Sequence, residues 1–274
     1  MGTSVRGRTG TGTDLGRPHS GKTGSVTAPE LGGASDPGLD VPAALELLTA
    51  GAITVAGRLV DASNATLYCS VELAGVSVDA VYKPVAGERP LWDFPDGTLA
   101  GREVAAYAVS AATGWQIVPP TVHRDGPFGP GMCQLWIDVD GGVDLAALVR
   151  SESAQLRRMA VLDAVINNAD RKGGHLLPTT AGHIFGVDHG VCFAVEDKLR
   201  TLLWQWRGDP LPEAARETLE ELRADLDSTL GTALRTLLDR REVRATTRRV
   251  DRLLREGTYP LPSGDWPAVP WPPF

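Results

Sequence analysis

Cysteine is nearly absent from this chain. Cys69, Cys133 and Cys192 are odd in number, far apart and without metal-ligand spacing, which argues against a disulfide framework or a thiolate zinc site and predicts reduced, buried thiols in a cytoplasmic protein. Long apolar runs are missing too. None approaches the roughly 18 residues that span a bilayer, so a soluble fold is expected and a transmembrane segment is not. Nor is there a basic excess: 27 Lys and Arg stand against 34 Asp and Glu, a formal net charge of -7. That leaves no basic face to displace counterions from a nucleic acid, and nucleic acid is not an expected partner. The 274 residues, 42% of them hydrophobic, nonetheless suffice for one large domain or two lobes with a good core.

Apolar periodicity is lacking from the first forty residues. Met1 to Asp40 is rich in Gly, Thr, Ser and Pro and cannot bury enough surface to offset its ordering entropy, so a flexible tail is predicted there. It has no apolar core that would make it a secretory signal. Within it, Gly16-Arg-Pro-His-Ser-Gly21-Lys22-Thr23 satisfies the Walker A pattern. That loop needs a hydrophobic strand before it and a helix after it, whose terminal amides hold the phosphate. Neither flanks it here, and the match is read as inert.

From Val41 the chain becomes patterned. Pro42 to Thr49 reads as a short helix ended by Gly51, and Ile53 to Val60 and Leu67 to Leu73 as strands about an Asp61 to Thr66 turn. Val76 to Val85 is a third strand, with Val76, Val78, Ala80 and Tyr82 on one face and Lys83 on the other. Asp96-Gly97-Thr98 then opens a helix running to about Thr113, where Glu103 shares a face with Leu99, Ala106, Tyr107 and Ser110. A carboxylate on a packing face needs a cation. Lys83, the only lysine between Lys22 and Lys172, is the natural candidate. Thr121 to Ile137 is read as two further strands with Gly126 to Gly131 as their turn, leading into the acidic Asp138-Val139-Asp140-Gly141-Gly142. Toward the end, Pro212 to Leu226, Leu230 to Leu238 and Glu242 to Glu256 read as amphipathic helices. The last carries Arg240, Arg241, Arg244, Arg248, Arg249 and Arg252, read as a solvated face.

The densest chemistry lies in Val161 to Phe193. Leu156, Met159, Leu162, Asp163 and Ile166 fall at helical spacing, and Asn167-Asn168 closes that helix because Asn competes for its own backbone. Asp163, on the apolar face, is expected to be a buried partner of a backbone group or an arginine. Asp170, Arg171, Lys172 and His175 crowd the following turn. Asp188 comes eighteen residues after Asp170, preceded by Ile184-Phe185-Gly186-Val187 and followed by His189-Gly190. Two carboxylates on neighbouring loops can serve one as base or orienter and the other as metal ligand.

These two loops resemble the catalytic half of the protein-kinase-like superfamily. Asp170-Arg171-Lys172-Gly173-Gly174-His175 looks like the catalytic loop and Asp188-His189-Gly190 like the metal-binding Asp-Phe-Gly triplet. The Asp-Arg opening is closest to the phosphatidylinositol 3/4-kinase-like branch, with its bacterial members and the related HipA-like kinases. The resemblance implies a two-lobed α+β fold: a sheet-bearing lobe over 41–137, a mainly helical lobe over 138–262, a tail before them and an extended Pro/Trp tail over 263–274. It also implies transfer of the ATP γ-phosphoryl group to a hydroxyl acceptor, which is a lipid, a protein or a small molecule. Asp170 would orient or deprotonate the acceptor and Lys172 support the moving phosphoryl. Asp188 and His175 would hold Mg²⁺ or Mn²⁺, and Lys83 with Glu103 would fix the nucleotide phosphates. Ser63, Asn64 and Thr66 at the hairpin tip would lie over those phosphates, and the Gln134 to Trp136 stretch would be the adenine-binding hinge, with Trp136 equally a core tryptophan. One residue departs from the family: His175 stands where it has asparagine. A weak or inactive nucleotide-binding pseudokinase and an AMP-transferring enzyme on the same scaffold are the alternatives.

Overall fold

The computed structural model describes residues 39–59 and 64–274. The Walker A match, residues 1–38 of the segment read as a tail, and Ser63 lie outside the described residues. The first helix, α1 (Val41–Ala50), starts where it does because the Asp40 carboxylate accepts the Ala43 amide and Pro42 presets the first turn.

Five strands, β1 (Ala52–Arg58), β2 (Leu67–Leu73), β3 (Val76–Pro84), β4 (Thr121–Gly126) and β5 (Gly129–Leu135), form one antiparallel sheet in the order β1-β2-β3-β5-β4. In β3 the alternation buries Val78, Ala80 and Tyr82 and turns Lys83 to the opposite side. Val76, expected on the same face, is exposed, because it sits at the strand end beside the Ala74-Gly75 turn. The β4–β5 turn is tighter than the six residues expected. Pairing continues to Gly126 opposite Gly129, leaving Pro127-Phe128 between them, and Gly129 supplies the positive φ of 92° that so short a connection needs. A small core of Leu47, Leu48, Val71, Val78, Ala80 and Cys133 joins α1 to the sheet.

The helix α2 (Leu99–Ala112) lies between the sheet and a second, larger apolar cluster, to which it contributes Ala105, Ala106 and Val109. That cluster is completed by α4 (Ala154–Ile166), α5 (Glu213–Leu226), α6 (Thr229–Leu234) and α7 (Arg240–Glu256), with a short α3 (Leu145–Val149) ahead of them. The helix read over Leu230 to Leu238 ends earlier, at Leu234. The helix α7 is held at its start by an Asp239–Glu242 capping box and released at Gly257, whose φ is 66°. Between α4 and α5, β6 (Leu176–Pro178) and β7 (Ile184–Gly186) form a two-stranded ladder that sets the two polar loops side by side. All three thiols are free and buried, and burial pushes Cys69 up to about 11 and Cys133 up to about 12. No helix among the described residues is long and apolar enough to cross a membrane.

Candidate active site

The site is built outward from the end of α4. Ser153 caps the start of the helix, and Asn167 stops it by adopting a left-handed conformation, φ 54°. Asn167 does more than stop it. Its Nδ2 donates to Ala194 O at 3.0 Å and Glu196 O at 2.6 Å, and its Oδ1 accepts the Lys198 amide at 2.9 Å. Asn168 then presents Oδ1 to the Asp170 amide at 2.9 Å while its Nδ2 donates to Asp163 Oδ1 at 2.9 Å. The catalytic-loop-like turn is therefore clamped to both the helix and the segment beyond Asp188.

Asp163 is the fully buried partner of Arg171. The guanidinium donates to it through Nε at 3.0 Å and Nη2 at 2.9 Å, and Nη1 donates to Val187 O at 3.1 Å. Arg171 Nη2 also lies 2.6 Å from His189 Nε2. A guanidinium only donates, so that ring nitrogen accepts and the proton of a neutral His189 sits on Nδ1. Burial, reinforced by Arg171, holds the His189 value well below the ordinary imidazole range.

Lys83 meets Glu103, the acidic group expected near it, and Asp188 as well. Its Nζ is 2.7 Å from Glu103 Oε1 and is also ion-paired to Asp188 Oδ1. Glu103 Oε2 accepts the His189 amide at 2.8 Å, so one carboxylate ties β3, α2 and the Asp-His-Gly turn together. Burial alone lowers the lysine value, but Asp188 and Glu103 outweigh it and hold the ammonium above its usual range. Lys83 in turn keeps the Asp188 carboxyl well below the usual carboxylate range. Asp188 itself has a φ of 62°, a left-handed backbone that Asp tolerates better than most residues. His175 Nε2 lies 3.5 Å from Asp188 Oδ2 and its Nδ1 is enclosed without a partner among the described residues. Burial lowers its value below 6.5. Lys172 Nζ is 3.0 Å from Asp170 Oδ2.

The buried His189 and the half-buried His175, both held below the ordinary imidazole range, set a pH dependence of stability. The unfolded chain takes up protons at both histidines below about pH 6.5, while the folded chain resists until a lower pH, so stability is lost as pH falls through that window. The urea midpoint should therefore drop between about pH 7.5 and 5.5, before the carboxylates titrate, and His189→Gln should flatten the slope. A wild-type midpoint constant across that range would contradict neutral imidazoles at these two positions.

Four residues expected near the nucleotide make bonds of their own in the structure. The Asn64 Oδ1 accepts the Arg89 amide at 2.9 Å, and the buried Thr66 hydroxyl donates to Asn64 O at 3.5 Å. The Asn64 side chain thus fastens the hairpin end to the chain after β3, and the Thr66 hydroxyl bonds within that hairpin end. Gln134 is buried with its amide donating to Thr121 Oγ1 at 2.8 Å, a bond inside the sheet. Trp136 packs edge-on against Tyr68 with centroids 5.0 Å apart, and its amide donates to Asp79 O at 3.0 Å. These polar groups are already committed. Three contacts were not anticipated. Arg102 reaches from α2 to Glu242 of α7 at 2.5 Å and to Cys192 O at 2.7 Å. Lys198 pairs with Asp93 at 3.0 Å beneath Trp92, Phe94 and Trp266. Phe274 lies against Gly173, whose amide donates to Pro273 O at 2.8 Å, and a Cβ at 173 would fall 2.1 Å from that ring. No local pattern marks any of them.

Residues 148–230 match the family model described as phosphatidylinositol 3- and 4-kinase. The chain is 44% identical to Protein Rv2133c of Mycobacterium tuberculosis, across 83% of this chain and 94% of that protein. It is 27% identical to phosphatidylinositol 4-kinase gamma 4 of Oryza sativa subsp. japonica over 60% of this chain, which spans 36% of that longer protein. Among solved structures, the Golgi casein kinase with Mn/ADP bound superposes with a TM-score of 0.55 over 79% of this chain and 75% of that one, at 14% identity. A second structure of the Golgi casein kinase gives 0.54 over 79% and 74%. The fold is thus protein-kinase-like, an antiparallel sheet joined to a mainly helical part.

Proposed function

Since the chain belongs to the phosphatidylinositol 3/4-kinase-like family, we propose that it transfers the γ-phosphoryl group of ATP to a hydroxyl acceptor. The observation that carries the reading is Lys83 bonded at once to Glu103 and Asp188, residues 20 and 105 positions away. A charged lysine locked between a helix carboxylate and a loop carboxylate is poised to hold phosphate oxygens.

The donor set fits a divalent ion that arrives with a nucleotide. Among the described residues no group of three or more His, Cys, Asp or Glu side chains converges as a metal site. Asp188 Oδ2 and the neutral His175 imidazole offer two ligands, and phosphate oxygens and water complete the shell of Mg²⁺ or Mn²⁺ in such sites. The ion would neutralise charge developing on the transferred group. Asp170 orients the acceptor hydroxyl and takes its proton, and Lys172 beside it offers its charge to the moving phosphoryl. Glu103 keeps Lys83 and the Asp-His-Gly turn in register. Because the Trp136 amide is occupied, the backbone after it, from Ile137, is the part of the connecting strand left to receive adenine.

Incubation with γ-labelled and with α-labelled ATP tests the reading. Retained γ label on an acceptor is the expected result. Retained α label would mean AMP transfer, and neither label would leave a nucleotide-binding module. Binding itself should be visible, because a ligand that binds only the folded state adds about 2.7 kcal/mol at a hundredfold excess over its Kd.

The metal preference should follow His175. Imidazole nitrogen is a borderline ligand that favours Mn²⁺ over the hard Mg²⁺, whereas an asparagine carbonyl suits Mg²⁺. Activity should be several-fold higher with Mn²⁺, and His175→Asn should shift the preference toward Mg²⁺. Identical metal profiles for the two proteins would remove His175 from the ion.

A further inference from the structure

One buried cation lies outside this site. Arg249 of α7 is 6% exposed, its Nη2 donates to Ala194 O, and its Nη1 is enclosed with no partner among the described residues. A solvated basic face, the reading from sequence, would not bury an arginine in this way. Arg249 lines a cavity of about 390 Å³ with Arg248, Arg252 and Arg255 of the same helix and with Val195 and Asp197 of the segment after Asp188. The carboxylates at its rim are already engaged, Asp197 by Arg252 at 2.8 Å and Asp251 by Arg223 at 2.6 Å. Four arginines therefore line a space whose two acids have partners, Arg252 being one of those partners, and the buried Arg249 Nη1 lacks an acceptor among the described residues.

We infer that this cavity binds a compact, multiply charged phosphate anion. Guanidinium forks match phosphate oxygens in pairs, and several forks around one cavity favour an anion with more than one charge. Burial pushes Arg249 down to about 10, so it still carries its charge at neutral pH. The site also communicates with the catalytic-loop-like turn. Ala194 O, which takes the Arg249 bond, takes the Asn167 side-chain bond as well, and Asn167 precedes Asn168, whose side chain holds the Asp170 amide. An anion that fixes Arg249 would brace that turn from behind. The inference needs no assumption about phosphoryl transfer.

Titration calorimetry of the full chain with inorganic tripolyphosphate, in EDTA at constant ionic strength, tests it. Wild type should bind, Arg248→Ala/Arg252→Ala should bind at least about tenfold more weakly, and Lys83→Met should bind as wild type, which places the anion away from the cleft. If the first pair fails to fold, Arg248→Ala/Arg255→Ala removes two exposed side chains from the same rim. Sedimentation with phosphatidylcholine vesicles, with and without phosphatidic acid, separates the sources. Arginine-dependent capture by the phosphatidic acid vesicles assigns the phosphate to a lipid headgroup, and its absence alongside tripolyphosphate binding assigns it to a soluble ligand. No tripolyphosphate binding by wild type, or binding lost in Lys83→Met and kept in the folded arginine variants, would overturn the site.

Discussion

Asp188→Ala is expected to lower phosphoryl transfer at least about a thousandfold, equivalent to about 4 kcal/mol of transition-state stabilisation. Its two oxygens have different duties in the geometry: Oδ1 pairs with Lys83 and Oδ2 faces His175. On the proposed reading, removing it takes away the carboxylate ligand of the ion, and it also removes one of the two carboxylates paired with Lys83. Lys83 would remain paired to Glu103 at 2.7 Å, so the fold should survive. Asp188→Asn is the better-controlled variant. Asparagine tolerates the left-handed backbone at this position, and Asp188 is half exposed, so little stability should be lost. Its metal-dependent stabilisation by ATP should vanish while its melting temperature without nucleotide stays near that of wild type. Initial rates and melting curves, each with and without metal and ATP, separate the two effects. A folded Asp188→Ala protein retaining a tenth or more of wild-type activity would remove Asp188 from the reaction.

Asp163→Ala should be the most damaging single change to the fold, at about 3 to 5 kcal/mol, the usual cost of leaving one member of a buried ion pair unpaired. Arg171 cannot shed its charge, and with both side chains fully buried no water replaces the lost carboxylate. Asn168 Nδ2 would lose its acceptor at the same time. Ordinary domains are stable by only about 5 to 15 kcal/mol, so much of the total is at stake. Asp163→Leu combined with Arg171→Met should be clearly more stable than Asp163→Ala, because it removes both charges and keeps the volume. Urea unfolding decides it: a loss under about 1 kcal/mol for Asp163→Ala would show that the pair does not hold the turn. The double variant should still be inactive, since Arg171 also donates to Val187 O and His189, on either side of Asp188.

The sequence by itself determined the elements and the facing of single residues. Period-two alternation in β3 sets Lys83 opposite Ala80 and Tyr82, and helical spacing in α4 puts Asp163 on the buried side. Both follow from backbone geometry, which is local. The fold class was legible for a different reason: Asp170-Arg171-Lys172 and Asp188-His189-Gly190 stand in order on either side of apolar strands. What only the tertiary structure decided is where each polar group spends its hydrogen bonds. Asn64, Thr66 and Gln134 carry side chains that suit a nucleotide, and in the fold they bond the Arg89 amide, the Asn64 carbonyl and Thr121. Arg171 could be read only as part of a charged turn until packing brought Asp163 and His189 to it. Arg249 was indistinguishable from its exposed neighbours until Ala194 closed over it. A buried donor or acceptor must be matched by whatever lies beside it, and those neighbours come from parts of the chain far apart in sequence.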